Sequence, residues 1–211
     1  MQNLLNYSNA LYKTVKANFI FILFLHFWII SFIVTDDQTN WIVENLLVFI
    51  FLPILFFSKD VLKISKTSYL LIFLFLLMHI IGSVYAYASV PIGNVLQSYF
   101  HLLRNPYDRI VHFCFGLLMA YPISNYFRSH FKMKTRYTYI LPIEIILSLS
   151  AVFELIEWIV GGVLMAGSEE TYVGSQGDIW DAQKDMALAW LGAIIAMMIT
   201  FGMHKISNKQ G

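Results

Sequence analysis

Charge is what this sequence has least of. Only 13% of its 211 residues are charged, where a soluble domain carries about 25%. Hydrophobic residues make up 58%, and the mean hydropathy is +0.65. A lipid environment and one integral membrane domain spanning 1–211 follow as the first expectation. No basic excess is present either: the formal net charge is +1, which excludes a nucleic-acid binder built on a basic face. Cysteine is almost absent. Cys114 stands alone inside an apolar run, so an internal disulfide and a zinc site built on two or more cysteines are both excluded. It reads as a small core residue. There is no Gly-x-Ser-x-Gly nucleophile motif, no repeat and no soluble domain.

Long apolar runs take the place of charge. A membrane-spanning helix needs about 20 mostly apolar residues. Six stretches answer to that: 18–34, 41–57, 68–90, 110–127, 138–163 and 186–203. The expected fold is therefore all-α, a polytopic bundle of six transmembrane helices. Lys13 and Lys16 precede the first run as they would a signal peptide. The stretch Ser31–Asn40 offers no small-x-small cleavage site, so a retained helix is expected.

Orientation follows from the lysines and arginines. With the N-terminus inside, Lys13, Lys16, Lys59, Lys63, Lys66, Arg128, Lys132, Lys134, Arg136, Lys205 and Lys209 face the cytoplasm. Of the 14 basic residues only Arg104, Arg109 and Lys184 are left outside. Asp36, Asp37, Glu169, Glu170, Asp178, Asp181 and Asp185 join them there. Both termini are thus expected in the cytoplasm. Trp41, Tyr69, Tyr139 and Trp158 lie near span ends, where amphipathic rings favour the interface. The sizeable outer segments, 91–109 and 164–185, hold the Gly, Pro, Ser and turn residues and have the length of functional loops.

An ionisable group at the bilayer centre costs roughly 2.5–3.5 kcal/mol on insertion scales, so such residues face inward, find partners and are functional candidates. Three groups stand out. Asp108, His112 and Gly116 are spaced i, i+4, i+8 at the start of the fourth span and share one helix face. Pro106 suits the helix start, and Gly116 with Ala120 continues a small-x-x-x-small seam. Arg109 lies beside this face, in reach of a carboxylate or an anionic headgroup. The bland alternative makes Asp108 a cap and His112 a satisfied core histidine.

The fifth span carries Glu154 and Glu157, i and i+3 on one face. If the helix surfaces near Gly161, they lie about 10 Å and about 6 Å below that level. Two buried carboxylates this close do not both ionise without a cation. They share a proton, or a metal or Arg sits between them. A snorkelling pair at the helix end is the alternative.

The sixth span is preceded by Gly174 and Gly177 in a turn, then Asp178, Asp181 and Asp185 at i, i+3 and i+7. Asp178 reads as an N-cap, with Asp181 at the third helical position, favoured by the helix dipole. Neither role accounts for Asp185. In the six-span topology all three groups converge at the outer face. His79 and Glu44 are weaker candidates near the cluster; Glu144 and His26 read as structural.

These residues resemble those of the bacterial YjdF-like inner-membrane proteins, a family without an assigned function. The matching stretches are Tyr107-Asp-Arg-Ile-Val-His112-Phe, Phe153-Glu-Leu-Ile-Glu-Trp158 and Tyr172-Val-Gly-Ser-Gln-Gly-Asp-Ile-Trp-Asp-Ala-Gln-Lys-Asp-Met186. The resemblance covers most of the chain. It implies a multi-pass protein of the bacterial inner membrane and supplies no activity. A fainter likeness is to VanZ-like membrane proteins, which have an Asp-Lys-x-x-His helix start, a later membrane Glu and an Asp-x-x-x-Asn start to a final helix. Here Asp108-Arg109-x-x-His112, Glu154 and Asp181-x-x-x-Asp185 are similar in order. Arg for Lys, Asp for Asn and the additional Glu157 are the departures.

Three function classes fit. In an enzyme, Glu154, Glu157, His112, Asp181 and Asp185 would bind a divalent metal ion and share acid/base roles. Carboxylate oxygens favour Mg²⁺, Mn²⁺ or Ca²⁺, and His112 admits Zn²⁺ or iron. Asp108 and Asp178 complete the polar set, and Arg109 would hold the headgroup of a lipid-linked or envelope substrate. Membrane lipids are the expected partners, and nucleic acid is not. A proton- or cation-coupled transporter ranks second, since no inverted repeat and little inner half of a path are apparent. A non-catalytic scaffold ranks third, because hydrogen bonds between membrane helices contribute only about 0.6 kcal/mol each.

Overall fold

The computed structural model describes residues 21–57, 65–131, 133–164 and 176–210. Among these residues the fold is all helical. Its elements are α1 (Phe21–Val34), α2 (Gln38–Glu44), α3 (Leu46–Phe57), α4 (Lys66–Val84), α5 (Pro91–Phe100), α6 (Tyr107–His130), α7 (Tyr137–Trp158) and α8 (Asp181–Gln210). A π-helical turn, Ile159–Leu164, continues α7. Four helices, α4, α6, α7 and α8, are long and apolar enough to cross a membrane, and α2 with α3 would make a fifth if the bent pair is one span.

The expected spans are adjusted in several places. The second is broken: α2 and α3 meet at 51°. Asn45 sits at the break, fully buried, donating to the Trp41 carbonyl (2.9 Å) and accepting from Trp28 Nε1 (2.7 Å). A buried amide with both ends satisfied can hold such a bend without an exposed backbone group. Trp41 is buried rather than interfacial, its Nε1 donating to Ser31 Oγ at 3.0 Å. The third span ends at Val84, not at residue 90. Ala86 and Tyr87 then take left-handed backbone angles and return the chain, with Tyr87 N–H donating to the Gly82 carbonyl at 2.8 Å. The Tyr87 ring lies where a Cβ on Gly82 would fall, so only glycine admits this return. The fourth and sixth spans are longer than expected, and the first is described only from residue 21.

The segment 91–109, expected as an outer loop, is not all loop. Pro91 opens α5 at N1, and His101 in the left-handed region closes it. Ile92, Val95 and Tyr99 form an exposed apolar face, the pattern of a helix lying along an interface.

Helix α8 packs most extensively against α6 and next against α7, while α4 covers another side of α6. In a bilayer, small residues make such approach possible, because lipid tails remove the hydrophobic drive. A Cβ on Gly116 would strike the Ala189 carbonyl, and one on Gly192 would strike the Phe113 carbonyl. The two glycines thus open each helix to the other's backbone. Ala120, Ala189, Ala193 and Ile146 are fully buried along the same seam.

At the far end of this seam, Arg128 Nη1 and Tyr139 OH meet His204 Nδ1 at 2.6 and 2.8 Å. The C-terminal ends of α6 and α8 therefore lie beside the start of α7, so α7 runs antiparallel to both. The start of α6, the end of α7 and the start of α8 consequently share the opposite end.

Candidate functional site

At that shared end one asparagine holds the backbone together. Asn105, 1% exposed, accepts from Tyr107 N–H (3.0 Å) and donates to the Val90 carbonyl (3.0 Å) and Asn94 Oδ1 (2.8 Å). Its backbone N–H donates to Gln176 Oε1 (2.9 Å), while Gln176 Nε2 donates to its carbonyl (3.2 Å). The turn before α8 is thereby pinned to the start of α6. Gly174, Glu169 and Glu170 lie outside the described residues.

The expected site residues come together here. Asp108, His112, Glu154, Glu157, Asp181 and Asp185 are all buried. His112 Nε2 stands 3.5 Å from Asp108 Oδ1 and 3.5 Å from Glu154 Oε1. Its Nδ1 meets Ser150 Oγ at 3.5 Å, and its ring packs edge-on to Phe153. The Glu154 and Glu157 carboxyl groups lie close enough to interact with each other. Both side chains are packed among the helices rather than exposed at the end of α7. Asp185, 1% exposed, has an Oδ1 with no hydrogen-bond partner, and so has Glu154 Oε1. One donor atom from each of Asp108, His112 and Asp185 lies within 4.8 Å of the others. Two donors each 2.0–2.2 Å from one ion can be at most about 4.4 Å apart. Three donors spread around one ion lie closer still, about 3.3–3.8 Å apart, so these three would have to draw inward to close around a cation.

The aspartates at α8 divide their work. Asp181 is engaged by guanidinium groups: Arg104 donates to its Oδ1, and Arg109 lies 3.4 Å from the same oxygen. Asp178 stands at the rim, three residues before the helix starts. It is not the N-cap of α8; its Oδ1 accepts from Trp180 N–H (3.1 Å) in the preceding turn. Lys184 Nζ at 2.6 Å, the Trp180 N–H and Arg109 hold its carboxyl far below the usual carboxylate range. Asp178 is thus an anchor for Arg109 and Lys184.

Arg104 joins the cluster without having been expected there. It is buried, pairs with Asp181 and lies 3.4 Å from Asp108. Its i, i+4 spacing to Asp108 was the available signal. Glu44 and His79 also prove buried. Glu44 is close enough to Asp108, Glu154 and Glu157 to repel them, and its Oε2 has no hydrogen-bond partner. His79 Nδ1 bonds Tyr87 OH at 2.6 Å; its Nε2 lies near the Glu44 backbone but outside hydrogen-bond geometry. Burial pushes the Tyr87 phenol well above its ordinary range, so it stays a neutral donor. His26 and Glu144 are exposed on the outer surface of α1 and α7, away from the site.

Six buried carboxyl groups thus face one buried guanidinium and the half-exposed Arg109 among the described residues. Uncompensated buried charge is costly, so the surplus calls for protons or a cation.

Comparison with known proteins gives the chain a family and no activity. Residues 17–206 match a family described as "Predicted membrane protein (DUF2238)". Over 169 residues, 80% of each chain, this one is 32% identical to the inner membrane protein YjdF of Escherichia coli (strain K12). No solved structure matches. With nearly its whole length matched, the chain belongs to this DUF2238 family of predicted membrane proteins.

Proposed function

We propose that the cluster is a divalent-cation site of a membrane enzyme acting on an anionic, lipid-linked or envelope substrate at the outer face. The carrying observation is Asp185: its carboxylate is buried, one oxygen has no hydrogen-bond partner, and it faces Asp108 and His112 at ligand spacing. In this reading Asp108, His112 and Asp185 hold the ion, and Glu154 stands ready as a fourth ligand or as the base toward a bound water. The His112 proton sits on Nδ1, donated to Ser150 Oγ, which leaves the Nε2 lone pair for the metal. Arg104 fixes Asp181 and balances the acids. Arg109, partly exposed, receives the anionic headgroup.

The outer location rests on the Lys/Arg bias. Six spans with both termini inside place Arg128, Lys134 and Arg136 in the cytoplasm and the carboxylates opposite. For that count α1 crosses in full and α2 with α3 forms one bent span. Transport is the weaker reading: Glu144 is exposed on the surface of α7, so among the described residues the acidic path has no inner half.

The test is metal analysis of purified protein. One equivalent of Mg²⁺, Mn²⁺ or Zn²⁺ per chain is expected in wild type, lost in Asp185→Asn at unchanged thermal stability. Failure of every divalent ion to bind wild type would sink the proposal.

A further inference from the structure

Beside the carboxylates lies an apolar cavity of about 340 Å³, enclosed by α3, α4, α6 and α7. That volume is at the lower end of ligand-binding pockets, roughly 300–1,000 Å³. Leu47, Phe51, Phe75, Met119 and Leu149 are typical of its walls. The polar groups that reach it are His79, Tyr87, His112 and Ser150. They gather at the end nearest the site, since His112 and Ser150 bond each other there, as do His79 and Tyr87. From His112 the cavity follows α6 inward to Met119, about 10 Å at 1.5 Å per residue.

We infer that this cavity holds one hydrocarbon chain of a membrane phospholipid, with the head end of the chain at His112. Water is a poor occupant, because an ordered water needs two to four polar partners and the inner walls offer none. The opening selects the source. Phe51 and Ile54 line the cavity and are also about half exposed, at 49% each. They continue an α3 surface on which Phe49 and Ile50 are likewise exposed, so the mouth lies on the lipid-facing side. A chain reaches it sideways from the bilayer without crossing water.

His112 connects the two halves of the site. One side of its ring lines the cavity, while its Nε2 faces Asp108 and Glu154 at 3.5 Å. A lipid whose first methylenes lie against His112 and Ser150 brings its phosphate toward Asp108 and Arg109. Naming this lipid as the substrate rests on the cation-site reading above; occupancy of the cavity by the chain does not.

The experiment uses full-length protein in vesicles of phosphatidylethanolamine and phosphatidylglycerol, doped with phosphatidylglycerol carrying a mid-chain diazirine. After irradiation, adducts are mapped by peptide mass spectrometry. In wild type, labelling at cavity positions such as Phe75 and Met119 should exceed that at the lipid-facing Ile199 by about tenfold, the ratio that 1.4 kcal/mol of preference gives. Leu149→Trp, which fills the cavity, should bring Phe75 down to the Ile199 level. Asp185→Asn should abolish metal binding and keep the adducts; adducts without metal in wild type would remove the enzyme reading and leave the chain site standing. Equal labelling of Phe75 and Ile199 in wild type, a measurement that needs no variant to fold, would overturn the inference. So would displacement of the label by an equimolar polyprenyl phosphate, which would make the occupant an isoprenoid.

Discussion

Arg104, in the loop before α6, donates to Asp181 in the first turn of α8, and both side chains are more than nine-tenths buried. The pair joins positions 77 residues apart at the point where the two most extensively packed helices begin. Removing one partner of a buried pair leaves an uncompensated charge and costs about 3–5 kcal/mol. Arg104→Met should therefore lower the thermal unfolding temperature in detergent. Arg104→Met combined with Asp181→Asn should recover much of that loss. If the double variant is as unstable as the two single losses added together, the pair is not what holds these helix starts.

Ser150 touches the cluster only through His112 Nδ1. A residue that orients a metal-bound imidazole typically costs about 10–100-fold in metal affinity when removed. Ser150→Ala should weaken divalent binding by that order, read by isothermal titration, with the unfolding temperature nearly unchanged. Ser150→Thr, which keeps the hydroxyl, should restore affinity. An unchanged affinity in Ser150→Ala would mean that His112 is not a ligand.

The proposed orientation has a direct chemical readout. In a Cys114→Ser background, single cysteines at the exposed positions Ser98 and Lys134 lie at opposite ends of the bundle. A membrane-impermeant maleimide added to right-side-out vesicles should label Ser98→Cys at once and Lys134→Cys only after permeabilisation. The reverse pattern would put the acidic cluster on the cytoplasmic side.

Much of the site was legible because helical periodicity acts over short range. Asp108, His112 and Gly116 share a face by spacing alone, and so do Glu154 and Glu157. Arg104 was only half legible: its i, i+4 spacing to Asp108 could be read locally, but its partner Asp181 is brought to it by the α6–α8 seam and not by the local chain. The break at Asn45 was hidden for the same reason: the Trp28 donor that satisfies Asn45 belongs to another helix. The prolines were no obstacle to reading the spans. Pro53, Pro122 and Pro142 all lie inside helices, because neighbouring helices can satisfy the backbone groups they free. The early end of the third span is a matter of Gly82 and the ring of Tyr87, a fit of shapes that hydropathy does not encode.

The same seam that positions the cluster can be used to disturb it from a distance. Gly116 lies two turns below Asp108 on α6, and its missing Cβ makes room for the backbone of α8 at Ala189. Gly116→Val would push the helices apart where neither touches the site. Overpacking of this kind costs about 1–3 kcal/mol, so a folded but less stable protein is expected. The larger effect should fall on the site, since Asp108 and His112 ride on α6 and Asp185 on α8. A separation of about 1 Å would carry the donor atoms beyond any common ion, and displacement on that scale can cost about 10²-fold in rate. Gly116→Val should thus lose divalent binding, read by metal analysis of the folded protein. Retention of full metal affinity in a folded Gly116→Val protein would show that the ion does not bridge α6 and α8.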